Sequence, residues 1–226
     1  MQYSKKQCYH LEPPAGLMND PNGLVWFRGR YYVFFQWNRF RKDHSHKEWG
    51  LFTSKDLLHW VFEGGILKPE EPYECNGVYS GSAQIIDQKL HLFYTGNDKT
   101  GGIRRSSQCL ATSTDGQHFA KQGIVLETPA GFTEHFRDPK VLATEQAGYW
   151  MVVGAQRKNG HGAVALCHSA DGEHWRYEHL LGTTDAEMVE CPDLFCVDGQ
   201  DILLYCRRSG TMHRMFRWKH TPYISR

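Results

Sequence analysis

The sequence predicts an all-β chain of β-propeller type, and three observations predict it. A two-stranded unit introduced by a polar motif recurs four times, a second polar turn recurs three times at the same period, and no segment carries the pattern of a long amphipathic helix. Four strands per unit at this period describe a propeller blade. A β-helix repeat is much shorter, and a sandwich does not normally show internal self-similarity.

The units follow in order. Asn19-Asp20-Pro21-Asn22-Gly23 leads into Leu24–Phe27, a turn at Arg28–Arg30 and Tyr31–Gln36. Ser80-Gly81-Ser82-Ala83 leads into Gln84–Ile86, a turn at Asp87-Gln88 and Leu90–Thr95. Arg137-Asp138-Pro139 leads into Lys140–Leu142, a polar turn and Tyr149–Gly154. Glu190-Cys191-Pro192-Asp193 leads into Leu194–Val197, a turn at Asp198-Gly199 and Asp201–Cys206. Taken as equivalent, positions 20, 80, 138 and 190 are 60, 58 and 52 residues apart. The second half of the unit carries Ser54-Lys55-Asp56-Leu57-Leu58-His59-Trp60, Ser113-Thr114-Asp115-Gly116-Gln117-His118-Phe119 and Ser169-Ala170-Asp171-Gly172-Glu173-His174-Trp175. Each follows a short apolar segment, and Asp-Gly pairs are strong turn formers. Stretches 64–79 and 97–108, rich in Gly and charge, read as surface loops.

Composition bounds the class. The 226 residues are 40% hydrophobic and 13% aromatic, which suits a sizeable core. A net charge of +1 gives no basic field, so nucleic acid is not an expected partner. No apolar run is long enough for a membrane-spanning helix. Met1–Lys6 does not lead into an apolar stretch, so no secretory leader is expected. The odd count of seven cysteines, without framework spacing, favours a reducing, cytoplasmic home. Cys191 and Cys196 lack a second pair to complete a zinc site and read as buried thiols. His44 and the charged run Arg39–Lys47 read as solvated. Residues 207–226 hold six bases and no acid, a basic tail.

Asp20, Asp138 and Glu190 each stand at the start of the innermost strand of a unit, and such strand ends converge on a propeller axis. Two carboxylates about 5 Å apart suit double displacement at a glycosidic carbon, one attacking and one protonating the leaving oxygen. Asn19, Asn22 and the Asn-Gly amides are expected to hold Asp20 ionised. The apolar neighbours of Glu190 are expected to raise its pKa, and Arg137 to hold Asp138 ionised. Each motif alone is an ordinary turn or a surface pair; their shared repeat position favours a site. Gln36, Trp49, Tyr79 and Ser80 fit a sugar pocket, Trp49 being equally readable as core.

Leu17-Met18-Asn19-Asp20-Pro21-Asn22-Gly23, Tyr79-Ser80-Gly81-Ser82-Ala83, Phe136-Arg137-Asp138-Pro139 and Glu190-Cys191-Pro192 together resemble glycoside hydrolase family 32, the invertases, fructan hydrolases and sucrose-6-phosphate hydrolases. The resemblance runs from about Tyr9 to Cys206 and is strongest to bacterial sucrose-6-phosphate hydrolases, given Thr133-Glu134-His135-Phe136. It implies a five-bladed propeller followed by a β-sandwich. Against that layout the chain holds about three and a half blades and lacks the sandwich, and it reads as C-terminally truncated. Residues 1–206 then form a partial catalytic propeller domain, and residues 207–226 a tail unlike the family. The resemblance makes Asp20 the nucleophile, Glu190 the acid/base and Asp138 the carboxylate that holds fructose hydroxyls. It assigns Leu17, Met18, Asn19, Gln36, Trp49, Tyr79, Ser80 and Arg137 to the sugar pocket, with a retaining mechanism and no cofactor or metal. Leu17 stands where many members carry Trp, and Tyr79 where many carry Phe. The implied function is β-fructofuranosidase action on sucrose 6-phosphate or sucrose. A sugar-binding or inactive fragment and a fructosyltransferase are the alternatives.

Overall fold

The computed structural model describes residues 9–144, 148–208 and 214–218. Among them, fifteen strands form four antiparallel sheets, three of four strands and one of three. The first sheet holds β1 (Leu17–Phe27), β2 (Arg30–Asn38), β3 (Glu48–Ser54) and β4 (Trp60–Leu67). The second holds β5 (Val78–Ile86), β6 (Lys89–Asp98), β7 (Arg105–Ser113) and β8 (Ala120–Glu127). The third holds β9 (Phe132–Thr144), β10 (Gly148–Arg157), β11 (Gly162–Ser169) and β12 (Arg176–Thr183). The fourth holds β13 (Met188–Val197), β14 (Gln200–Arg208) and β15 (Arg214–Trp218). Each sheet is a meander in chain order, as the repeat predicts, and the innermost strands β1, β5, β9 and β13 neighbour one another in series. No helix in the described residues is long and apolar enough to cross a membrane.

Three hairpins close through two-residue turns with both central residues at positive φ: Arg28-Gly29, Asp87-Gln88 and Asp198-Gly199. That handedness matches the twist of the flanking strands. β14 continues past position 206, and β15 lies within the basic segment that the sequence sets apart, hydrogen-bonded to β14 where a unit's third strand belongs. The stretches read as surface loops are partly interior. Glu74, in a short 3-10 turn (Pro72–Glu74), and Val78, Asn97 and Gln108, on β5, β6 and β7, are fully buried. Glu74 is tolerated inside because it accepts hydrogen bonds from the Tyr94 hydroxyl at 2.7 Å and from the Lys121 ammonium.

The sheets stack face to face, and strand alternation decides which neighbour each side chain meets. Tyr32 and Phe34 of β2, with Leu51 of β3, face the second sheet, where they meet Leu90, Leu92 and Tyr94. Phe35 and Trp37, one residue out of phase, face the opposite way with Phe52 and Phe62. Phe93 and Leu110 of the second sheet meet Val141, Met151 and Trp175 of the third. Val152 and Leu166 meet Leu194 and Leu203 of the fourth. At about 25 cal/mol per Å² of apolar surface, such interfaces are the main force holding the sheets together.

The Ser-x-Asp turns form a second set of contacts between sheets. In the second and third sheets the turn glycine presses on the preceding sheet. A Cβ on Gly116 would lie 2.2 Å from the Tyr32 hydroxyl, and one on Gly172 would lie 2.5 Å from the Ile86 Cδ1. Leu57 holds the corresponding place in the first sheet, with φ +64° and an exposed side chain.

Candidate functional site

The polar motifs are not turns ahead of the strands. They lie inside the innermost strands as β-bulges. β1 pairs Asn19 with Gln36 and Pro21 with Phe35, which leaves Asp20 unpaired between them. β5 does the same at Ser80, β9 around Asp138 and β13 around Cys191-Pro192. Asp20, Asp138 and Cys191 have φ values of +43°, +65° and +47°, a region that L-residues seldom occupy. A bulge there bends the strand and re-aims its side chain.

This register corrects the sequence alignment of the fourth unit. The slot of Asp20, Ser80 and Asp138 is filled by Cys191, and Glu190 takes the preceding slot with Asn19, Tyr79 and Arg137. The proline or glycine that follows the bulged residue, Pro21, Gly81, Pro139 and Pro192, marks the true register.

Both slots face one cavity of about 570 Å³. Asn19, Asp20, Gln36, Tyr79, Ser80, Arg137, Asp138 and Glu190 all line it, as the sequence expects. A second space of about 260 Å³ shares Asp20, Ser80, Asp138 and Cys191, so the bulged residues divide the two. Leu17, Met18 and Trp49 are not in the wall. Met18 packs with Phe35 and Trp37. Trp49 is fully buried among Phe34 and Tyr94, and its indole N–H donates to the Tyr79 carbonyl at 2.9 Å. It is a core residue that ties the first sheet to the second. Gln36, also buried, donates to the Val78 carbonyl at 2.9 Å across the same junction.

The carboxylates have three different environments. Asp20 is exposed to the cavity and accepts the Ser80 hydroxyl on Oδ2 at 3.4 Å. Asn22 does not reach that carboxylate; its amide donates to the Asp20 backbone carbonyl at 2.8 Å. Asn19 instead accepts from Lys47 Nζ at 2.7 Å. Asp138 is buried, accepts the Cys191 backbone N–H at 3.0 Å and has its pKa pushed up to about 6. Burial is the main cause; Arg137 opposes it, and Glu190 and Asp20 add to it. Glu190 is bridged to Arg137 Nη2 at 2.5 Å, while Arg137 Nε stays 4.0 Å from Asp138.

Arg137 thus bonds Glu190 more closely than Asp138, the neighbour with which the sequence pairs it. Adjacent residues on a strand diverge, so Arg137 reaches sideways to the matching slot of the next sheet, which Glu190 fills. The surroundings of Glu190 are cationic, not apolar. His135 Nδ1 lies 3.0 Å from Arg137 Nη1 on the far side. The backbone N–H of Asp138 donates to Thr95, whose hydroxyl donates to Gln108 at 2.7 Å, and Gln108 donates to the Phe136 carbonyl. This buried chain fixes the bulge from behind.

Several wall residues fall outside the sequence expectations: His44, Lys47, Arg104, Cys191, Cys206 and Arg208. Lys47 is not a solvated member of a charge run. It is buried, bonds Asn19 and contacts His44 Nδ1 at 2.8 Å. Burial pulls its pKa down, and Asp20 partly restores it. Cys191 and Cys196 are exposed, not buried. Cys191 opens on the cavity because it crowns the bulge. Lys47 and Arg104 share one signal: each immediately precedes the third strand of its unit.

Residues 10–223 match the model described as the glycosyl hydrolases family 32 N-terminal domain, a span that includes most of the basic segment. The sucrose-6-phosphate hydrolase of Bacillus subtilis (strain 168) is 45% identical over 208 residues, covering 88% of this chain and 43% of that protein. The sucrose-6-phosphate hydrolase of Salmonella typhimurium is 46% identical over 206 residues, covering 88% and 44%. Among solved structures, the sucrose-6-phosphate hydrolase of Lactobacillus gasseri aligns with a TM-score of 0.83 at 34% identity, over 88% of this chain and 42% of that one. A mutant beta-fructofuranosidase of Bombyx mori in complex with sucrose aligns with a TM-score of 0.80 at 33% identity, over 88% and 43%. The chain thus spans less than half the length of these relatives.

Proposed function

This chain belongs to glycosyl hydrolases family 32, and on that footing we propose that its cavity cleaves the fructosyl bond of sucrose or of a phosphorylated sucrose. The observation that carries the proposal is the convergence of Asp20, Asp138 and Glu190, from three successive innermost strands, on one cavity. Three of the relatives above are named sucrose-6-phosphate hydrolases and a fourth is a mutant beta-fructofuranosidase in complex with sucrose, which supports a small sugar as the substrate class.

In this reading Asp20 attacks the anomeric carbon of the fructosyl unit. The carbon–oxygen bond to the glucosyl group breaks as the bond to Asp20 forms, and Glu190 gives its proton to the departing oxygen. Water then replaces the Asp20 ester, returning a proton to Glu190, and the configuration is retained. Ser80 steadies the exposed nucleophile. Asp138 is too buried to attack and instead holds fructose hydroxyls against the transition state. Arg137 orients Glu190.

The test is sucrose and sucrose 6-phosphate turnover with the anomeric product followed by NMR. Asp20→Asn and Glu190→Gln should each lower kcat by about a thousandfold or more. Undiminished turnover in either variant would remove the assignment. Fructose binding without any turnover by the wild type would favour a sugar-binding module.

A further inference from the structure

Arg137 is held from two sides. Its Nη2 donates to Glu190 at 2.5 Å, and its Nη1 lies 3.0 Å from His135 Nδ1. A guanidinium offers donors only and keeps its proton in proteins, so the imidazole is the acceptor. That fixes the state of His135: neutral, with a lone pair on Nδ1 and its proton on Nε2. Protonated at Nδ1, it would turn a donor and a positive charge toward Arg137, and the contact would be lost.

His135 is itself pinned. Its backbone N–H donates to the Thr133 hydroxyl at 3.2 Å, and that hydroxyl donates to Gln156 Oε1 at 3.0 Å. The Gln156 amide donates in turn to the Glu187 carbonyl at 2.9 Å, immediately ahead of β13, the strand that bears Glu190. His135 is not among the described residues that line the cavity, so it acts on the chemistry through Arg137. Arg137 is buried, and without the contact to His135 its Nη1 is left without that acceptor. The fork is then free to turn from Glu190 toward Asp138, whose Oδ2 is already 4.0 Å from Nε.

The surroundings favour the accepting form. Burial lowers the pKa of His135, as do the like charges of Arg137, of Arg104 ahead of β7 and of Arg208 at the end of β14. Glu134, whose Oε1 is 3.9 Å from Nε2, opposes them.

Resting on the fructosidase reading above, we propose that His135 is a positioning residue for the acid step: its Nδ1 lone pair holds Arg137 so that Arg137 aims the Glu190 carboxyl at the leaving oxygen.

Turnover of two substrates by the same variants tests this. Sucrose needs its leaving oxygen protonated as the bond breaks, whereas an aryl fructofuranoside that releases nitrophenolate needs little such help. His135→Leu should lower kcat on sucrose roughly 10- to 100-fold, the range for one hydrogen bond to a charged group, with KM within about threefold. On the aryl substrate the same variant should lose less than about threefold in kcat. His135→Asn, whose Oδ1 replaces the Nδ1 acceptor, should restore sucrose turnover to within about threefold of the wild type. It should also make the acid limb of kcat/KM shallower, from a slope of about two, for Asp138 and His135 together, to about one. Nitrogen NMR of the wild type should show Nδ1 unprotonated at neutral pH, a result that holds even if the Leu variant does not fold. Equal losses on both substrates overturn the proposal. So do an Asn variant as impaired as the Leu variant, an unchanged acid limb, and a proton on Nδ1. A wild type that hydrolyses neither substrate sinks the fructosidase reading and this inference with it. An active wild type with any of those four results sinks this inference alone.

Discussion

Two polar motifs repeat in this molecule, and they behave in opposite ways. The outer Ser-x-Asp turns are near copies of one another. In each, the Asp Oδ1 accepts two backbone N–H groups at 2.7–2.9 Å, and Oδ2 lies 2.7–2.8 Å from the His Nδ1. These bonds lower the pKa of Asp56, Asp115 and Asp171, led by contacts within the turn itself. The inner bulges share a backbone but carry four different side chains: Asp20, Ser80, Asp138 and Cys191. Asp138 there is pushed up to about 6, mainly by burial. A repeated acid that satisfies itself is structural. One held at a repeated bulge, with its pKa moved by burial and by neighbouring charges, is a candidate for the functional site.

The sharpest test of that contrast exchanges the same chemical change between the two motifs. Asp20→Asn should abolish turnover, by about a thousandfold, and leave the melting temperature nearly unchanged, since its one side-chain partner is Ser80 at 3.4 Å. Asp115→Asn should do the reverse, lowering the melting temperature with turnover intact, because it breaks a set of bonds within the turn and lines no part of the cavity that holds the three carboxylates. Comparable loss of activity from both variants would dissolve the distinction.

The contrast also explains what was legible in the sequence. The blade period was readable from the turns, since Ser54, Ser113 and Ser169 open identical hydrogen-bonded loops. Asp20 and Asp138 were readable from the Asp-Pro pair each begins. Glu190 was found as an acid but placed one slot late, because Cys191 precedes the proline there and the bulge geometry, not the charge, sets the register. Trp49 could not be assigned from residue type, since an indole serves a core and a sugar face equally well; its burial decides. Arg104 was hidden behind Gly101-Gly102, which reads as a surface loop. Only the stacked sheets bring the start of β7 to the same wall as β9 and β13.

Asp138 gives the next largest effect. Its carboxyl titrates near 3.8 when unfolded and about 6 when folded. The folded state therefore holds the proton more tightly between those values, and stability falls as pH rises through them. Below pH 3.8 the cost is absent, and above pH 6 it is complete, at about 3 kcal/mol. Asp138→Asn should remove turnover and stabilise the protein by up to about that amount at neutral pH, the gain vanishing in acid. Denaturant titrations of both proteins across pH 4 to 7 would measure it. A constant difference across that range would mean that Asp138 is not destabilised by burial. In the wild type, kcat/KM should fall as pH drops below about 6, because the protonated residue grips hydroxyls less well.

The smallest effects belong to the outer turns and come as a pair of opposite sign. Gly116 has φ +75° and no room for a Cβ, which would meet the Tyr32 hydroxyl at 2.2 Å. Gly116→Ala should cost about 2 kcal/mol or more, from backbone strain and the displaced Tyr32. Leu57 occupies the same place in the first sheet at φ +64°, exposed, and already bears the left-handed strain. Leu57→Gly should therefore stabilise by about 1 kcal/mol, the penalty an L-residue pays in that region less the added chain entropy of glycine. Equilibrium denaturation reads both. The outcome that matters is the difference in sign. If Leu57→Gly destabilised the protein, the Leu57 side chain would be making a contact worth more than its backbone strain. The turn would then be more than the self-contained loop that its hydrogen bonds describe.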